Sequence, residues 1–249
     1  MRTLALVVEY DGTHFAGFQR QGHARTVAQE LEEAFAVMFH HDVALTCAGR
    51  TDAGVHATGQ VVSFATPSAM PLRRIPIAAS ALLRSARIAV LKAVERQPGF
   101  SARRDALART YRYRILNRRS PSPLWERRAF HVRADLDDDA MRAAARLLVG
   151  EKDFRAFCAG VPPGGRTLRN VRALTVARHC DFIDIQITSD SFLHHMVRIA
   201  VGTLVDVGRG KLAPGDVGDI LASRDRARAG FTAPPHGLYL TDVRYADPL

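Results

Sequence analysis

Ten residues, AGRTDAGVHA from Ala48 to Ala57, lie between two short apolar runs, Val43 to Cys47 and Gln60 to Phe64, that both read as strands. A strand–loop–strand segment of this kind forces the chain into a sheet and sets whatever the loop carries at the sheet's end. This loop carries one carboxylate, Asp52, two residues after Arg50, with Gly49 and Gly54 on either side. Glycine admits backbone conformations closed to other residues and lets a second backbone or a ligand come close. An arginine within hydrogen-bonding reach lowers a carboxylate pKa by about one to three units, so the expectation is an ionised acid, a nucleophile or base and not a proton donor. Taken as an isolated tripeptide, Arg-Thr-Asp reads first as an ordinary turn whose side-chain oxygens cap backbone amides; the ten-residue string as a whole goes further.

The rest of the chain supplies elements of both kinds. Thr3 to Tyr10 alternates Leu4, Leu6, Val8 and Tyr10 on one face, and Asp11-Gly12 ends it with turn chemistry. Thr26-Val-Ala-Gln29 has the form of a capping box, and Val27, Leu31, Ala34, Phe35 and Met38 form an apolar stripe at helical spacing, which is core. Pro76 to Arg84 is a weaker helix, Ile88 to Val94 a strand, Pro98-Gly99 a turn, and Thr110 to Leu116 a strand whose residues Tyr111 and Tyr113 share a face. After a break at Ser120 to Pro123 the pattern recurs: a helix from Leu136 to Leu148, strands Arg169 to Ala177 and Phe182 to Thr188, and a long helix from Phe192 to Val207. The acidic run Asp135 to Asp139 reads as a helix N-terminus, where the dipole favours negative charge. The expected architecture is α/β of the α+β type. It has two subdomains, 1–107 with the Asp loop and 108–249 with the Tyr strand and the long helix, each with a mainly antiparallel sheet and helices to one side, meeting at a cleft.

With 47% hydrophobic residues over 249, the chain can bury substantial cores, and no window approaches the 18 apolar residues of a membrane helix. Met1-Arg2 runs directly into the first strand without a signal-peptide pattern, which makes the cytoplasm the default compartment. Cys47, Cys158 and Cys180 are odd in number and widely spaced, so reduced and mostly buried thiols are expected. His194 and His195, adjacent on the expected helix, point about 100° apart and do not make an i, i+4 metal pair; no metal is expected.

The 35 basic against 25 acidic side chains give a charge of +10, and a pI of about 10.3 suits a polyanion. Arg103, Arg104, Arg109, Arg112, Arg114, Arg118 and Arg119 crowd one region around Tyr111 and Tyr113, a mixture suited to phosphates and unstacked bases. The loop Val161 to Thr167 has only a faint likeness to a phosphate loop, since the lysine and its spacing are missing, and nucleotide hydrolysis is rejected. Arg198 follows His194 by four residues in an otherwise apolar run, so its charge must reach solvent or meet a carboxylate.

The string AGRTDAGVHA matches without a gap the signature of the tRNA pseudouridine synthase A family. VEYDGTHFAGFQRQ (Val8 to Gln21), RTYRYRI (Arg109 to Ile115) and SFLHHMVRIAVGTLVDVGRGK (Ser191 to Lys211) resemble further blocks of that family, in the same order. The resemblance implies the pseudouridine synthase fold, with Asp52 as catalytic acid residue and Tyr111 as the tyrosine that lies against the target uracil and helps remove its C5 proton. That choice over Tyr113 rests on the motif alignment. It also implies Arg198 as ionic partner of Asp52, with Arg50 the competing partner by proximity and otherwise assigned to RNA contact and base extrusion. Phe18, Gln19 and His56 join Arg50 and Tyr111 as expected substrate contacts. The implied substrate is the tRNA anticodon arm at uridines 38 to 40, bound by a homodimer with no cofactor, no metal and no membrane.

Two other readings compete. A non-catalytic RNA-binding protein accounts for the charge and the Arg/Tyr strand but not for an acid flanked by arginine and glycines. An Asp-nucleophile hydrolase accounts for Asp52 but calls for a second carboxylate or a metal-binding acid cluster, for which only the run Asp135 to Asp139 qualifies.

Overall fold

The computed structural model describes residues 1–161 and 164–249. Pro162 and Pro163 of the Val161 to Thr167 loop lie outside the described residues. In chain order the strands and helices are β1 (Arg2–Tyr10), α1 (Val27–Phe39), β2 (Thr46–Cys47), β3 (His56–Thr66), α2 (Ile75–Leu83), β4 (Ile88–Arg96) and β5 (Ala108–Asn117). There follow β6 (Phe130–Val132), α3 (Asp138–Arg146), β7 (Gly150–Asp153), β8 (Leu168–His179), β9 (Phe182–Ser189), α4 (Met196–Gly208), α5 (Asp216–Ser223) and β10 (Leu238–Arg244). The fold is mixed α/β. It divides into two compact units, Met1–Arg109 with Tyr239–Leu249, and Thr110–Leu238. Residues Tyr239–Leu249, expected within the second subdomain (108–249), belong to the first unit.

In the first unit the strand order is β4-β1-β3-β10, with β2 paired to β3. β1 runs antiparallel to both neighbours, with Leu6 opposite Val62 on one side and Ala93 on the other. Side chains on both faces of β1 are covered, since Leu4, Leu6 and Val8 on one face and Ala5 on the other are all inaccessible. α1 forms as its pattern predicts: Thr26 Oγ1 accepts the Gln29 N–H at 3.3 Å, and the whole apolar stripe is buried. Phe35 and Phe39 pack on Phe64 of β3 with centroids 5.5 and 5.6 Å apart. The expected strand Val43 to Cys47 shortens to Thr46–Cys47, because the Leu45 N–H goes to the Glu32 carboxylate of α1 at 3.3 Å and not to a ladder partner. β10 pairs parallel to β3 through Tyr239 with His56 and Leu240 with Ala57. A Cβ on Gly59 would stand 2.3 Å from the Thr241 carbonyl oxygen, so the close approach of these strands requires glycine there.

In the second unit the order is β5-β9-β8-β7, with β6 parallel to β5. α3 is shorter than the expected Leu136 to Leu148: Asp137 caps it by accepting the Ala140 N–H at 2.9 Å. Leu147 and Leu148 then donate to carbonyls three residues back and tighten the last turn out of the α form. α4 is apolar almost all round and correspondingly buried, from Met196 and Val197 through Leu204 to Val207. It starts at Met196 and not at Phe192, because His195 adopts a left-handed conformation (φ 60°) that an α-helix excludes. The expected fan of His194 and His195 about a helix therefore gives way to two rings with centroids 3.9 Å apart. Among the cysteines, Cys47 and Cys158 are buried thiols and Cys180 is exposed.

Candidate active site

The loop between β2 and β3 is tied down at nearly every step. Ala48 donates its N–H to Val61 at 2.8 Å, and its carbonyl accepts from Arg109 Nε at 3.1 Å and Nη2 at 2.9 Å. The Gly49 carbonyl accepts from Gln60 Nε2 at 2.7 Å. The Thr51 hydroxyl lies 2.7 Å from that of Tyr10, and the Thr51 carbonyl accepts the Phe18 N–H at 3.0 Å. The Val55 N–H turns back onto the Asp52 carbonyl at 3.1 Å, and Gly54, at φ +77°, donates to the Phe15 carbonyl at 3.3 Å. Across Arg50, Thr51 and Asp52 the burial runs exposed, buried, half-buried. Thr51 thus faces inward, while the two charged residues flank it.

The N-terminal loop, a tight connection after β1 that the resemblance assigns to the RNA-binding surface, folds against this one. Asp11 accepts the Thr13 N–H at 3.1 Å and is bridged by Arg87 at 3.2 Å. Gly17 is left-handed (φ +104°) and lies against the Thr51 carbonyl. Two of the expected contacts are buried here. Phe18 is only 2% exposed and its ring packs near Tyr10 at 6.3 Å, so it supports the loop from within. His56 is 3% exposed, stacks on Tyr239 at 4.7 Å, and accepts the Gly12 N–H on Nδ1 at 3.1 Å. Its ring therefore joins the two loops. Gln19 and Arg50 are exposed.

In the second unit the strand β5 distinguishes its two tyrosines. Tyr113 is fully buried and donates its hydroxyl to the Pro234 carbonyl at 2.7 Å; burial pushes that hydroxyl's pKa well above its ordinary value. Tyr111 lies nearer the surface, 8% exposed, edge-on to Phe192 at 5.1 Å. Arg198, half-buried near the start of α4, donates Nε to the Ala233 carbonyl at 2.8 Å, and the Ala233 N–H returns to the Arg198 carbonyl at 3.0 Å. The segment around Ala233 and Pro234 thus holds both Arg198 and Tyr113. No residue pattern marked it in advance, since it is an irregular stretch.

The arginine cluster proves to be of two kinds. Arg109 gives its donors to the carbonyls of Ala48, Ala106 and Arg103. Arg114 forms a fork with Asp184 at 2.8 and 2.6 Å between the rings of Trp125 and Phe182, and Arg118 pairs with Asp181 at 3.1 Å. Arg103, Arg104 and Arg119 are exposed and accessible to an anion. Tyr10, Gln60 and Arg109 are the loop's supports that sequence reasoning did not identify. Each looks like an ordinary strand residue until its partner, far along the chain, is known.

A carboxylate carried on a backbone whose own polar groups are already satisfied is preorganised: it can act at a fixed point with little rearrangement. Known proteins resemble this chain in sequence. A family model described as tRNA pseudouridine synthase matches residues 6–103 and 144–246; Asp52 lies in the first stretch, Arg198 in the second and Tyr111 between them. The tRNA pseudouridine synthase A of Methylobacterium sp. (strain 4-46) is 49% identical over 243 residues, 98% of this chain and 97% of that protein. The proteins of the same name from Moorella thermoacetica and Caldicellulosiruptor bescii are 44% and 41% identical, each covering 98% of this chain and 100% of its own. With a family model spanning most of the sequence and relatives matching over nearly their whole length, the chain belongs to the tRNA pseudouridine synthase family.

Proposed function

We propose that the protein isomerises uridine to pseudouridine in tRNA, at positions 38, 39 and 40 of the anticodon stem-loop, with Asp52 as the catalytic carboxylate. The observation that carries this reading is the Asp52 loop, a single acid on a backbone anchored at Ala48, Gly49, Thr51 and Gly54. The reaction breaks the bond from uracil N1 to ribose C1′, turns the base and rejoins it through C5. Asp52 either attacks C1′ or takes the 2′ proton, and one carboxylate suffices for each route. No cofactor or metal is required by either.

The target nucleotide leaves its stack to reach the acid, at a cost of a few kcal/mol that phosphate contacts offset. Arg50, exposed beside Asp52, is assigned to RNA contact and base extrusion, and Gln19 to the adjoining surface. Tyr111 and Arg198 are assigned on the family resemblance, as the tyrosine against the uracil and as the ionic partner of Asp52. The complete burial of Tyr113 and the engagement of its hydroxyl with Pro234 support choosing Tyr111 over it. The proposed working form is a homodimer in the cytoplasm. Among the described residues no helix is long and apolar enough to cross a membrane.

The test incubates the protein, without added metal or cofactor, with unmodified tRNA bearing uridines 38 to 40, then maps pseudouridine by carbodiimide labelling and primer extension. Stops at those positions with the wild type and none with Asp52→Asn, at similar tRNA affinity, are expected. Comparable activity in the Asn variant overturns the role of Asp52, and tRNA binding without modification by either protein favours a binding module.

A further inference from the structure

We propose that Tyr10 is a positioning residue for Asp52, acting through Thr51 and Gln60 in a buried hydrogen-bond chain of fixed direction. The inference rests on the reading of Asp52 as the catalytic carboxylate. Tyr10 is the last residue of β1, Gln60 lies on β3, and Thr51 immediately precedes Asp52; they are 2%, 0% and 6% exposed.

The direction of the chain follows from backbone groups. The Gln60 amide faces one main-chain acceptor, the Gly49 carbonyl at 2.7 Å, and one main-chain donor, the Val61 N–H at 3.1 Å. Only one orientation of the amide satisfies both, with Nε2 toward Gly49 and Oε1 toward Val61. The second hydrogen of Nε2 then points at the Tyr10 hydroxyl oxygen, 3.4 Å away. With its oxygen accepting from Gln60, the buried phenol has Thr51 Oγ1, 2.7 Å away, as the acceptor for its own proton, and we assign the bond in that direction. The residue before Arg50 and the residue after it are thereby held from the same buried side. Asp52, the next residue along, leaves the loop from a backbone that cannot rotate without breaking this chain in a place where water does not replace the lost bonds. Burial pushes the Tyr10 hydroxyl's pKa above its ordinary value, so it stays a donor across the working range.

Tyr10→Phe keeps the ring and its packing and removes only the hydroxyl. Under single turnover at saturating tRNA, the rate is expected to fall about 10- to 100-fold, the scale of a displacement of the reacting group by up to an ångström. The tRNA Kd should stay within about twofold, since no RNA contact is removed. Thr51→Val should give a similar loss, Thr51→Ser should recover most of it, and Tyr10→Phe with Thr51→Val should lose no more than either alone, because both cut the same bond. A wild-type rate in Tyr10→Phe, or a loss that only follows weaker tRNA binding or a smaller folded fraction, overturns the proposal. If Tyr10→Phe does not fold, the Thr51→Val and Thr51→Ser pair decides it by the same readouts. Asp52→Asn run alongside separates the two readings: activity there removes Asp52 as the catalytic carboxylate, whereas an inactive Asn variant beside a fully active Phe variant removes only the role of Tyr10.

Discussion

Gly17 and Thr51 meet backbone to backbone: a Cβ on Gly17 would stand 2.9 Å from the Thr51 carbonyl oxygen. That same oxygen accepts the Phe18 N–H at 3.0 Å. The N-terminal loop and the Asp52 loop are therefore one structural piece, and strain placed in either is transmitted to the acid.

Gly17→Ala meets two penalties, the close contact and a φ of +104° that side chains resist. Strain of that kind costs about 1–3 kcal/mol. In a chain of this size the melting temperature should fall by about 2–4 °C per kcal/mol, with an isomerisation rate that falls further than the loss of folded protein accounts for. Calorimetry and a single-turnover assay on the same sample check both; a rate loss no larger than the folded-fraction loss would show the two loops to be functionally separate.

The two β5 tyrosines should respond in opposite ways to loss of their hydroxyls. Tyr113→Phe leaves the Pro234 carbonyl without its donor, a destabilisation of about 1–3 kcal/mol for a buried acceptor, visible as a lower urea midpoint. Tyr111→Phe should reduce the rate about 100-fold or more, the lower end of what a proton-transfer group supplies, and by more than any change in folded fraction explains. The reverse pattern would transfer the catalytic assignment to Tyr113.

Asp138 gives a pH-dependent contribution whose sign can be worked out. The hydrogen bond from Arg178 Nε at 2.8 Å, with Arg142 at 2.6 Å, holds its carboxyl below the ordinary value of 3.8. A depressed folded-state pKa stabilises above the unfolded value and is lost as pH falls through the folded one. Urea midpoints of the wild type and Asp138→Asn should therefore differ most near neutral pH and converge as the pH falls through the folded-state pKa. A gap that does not narrow on acidification would mean that the carboxylate charge contributes nothing there.

Local pattern was enough for β1, α1, β8 and β9, where alternation or helical spacing runs uninterrupted and the neighbours agree with it. It failed where one distant group redirected a backbone atom. Glu32 takes the Leu45 N–H and shortens β2, and His195 in a left-handed conformation delays α4 by four residues. β10 was not anticipated because its seven residues acquire their role only by pairing with β3, about 180 residues earlier.

The same division runs through the site. Residue order alone brought the acid, its arginine and its glycines together, because they are contiguous and a loop's chemistry is local. That Phe18 and His56 turn inward, that Arg109 is spent on the Ala48 carbonyl, and that Tyr10 and Gln60 reach Thr51 and Gly49 could be settled only by the tertiary fold. Burial and hydrogen-bond pairing depend on partners brought together from distant parts of the chain, and no periodicity within a single segment encodes which partner a buried polar group will find.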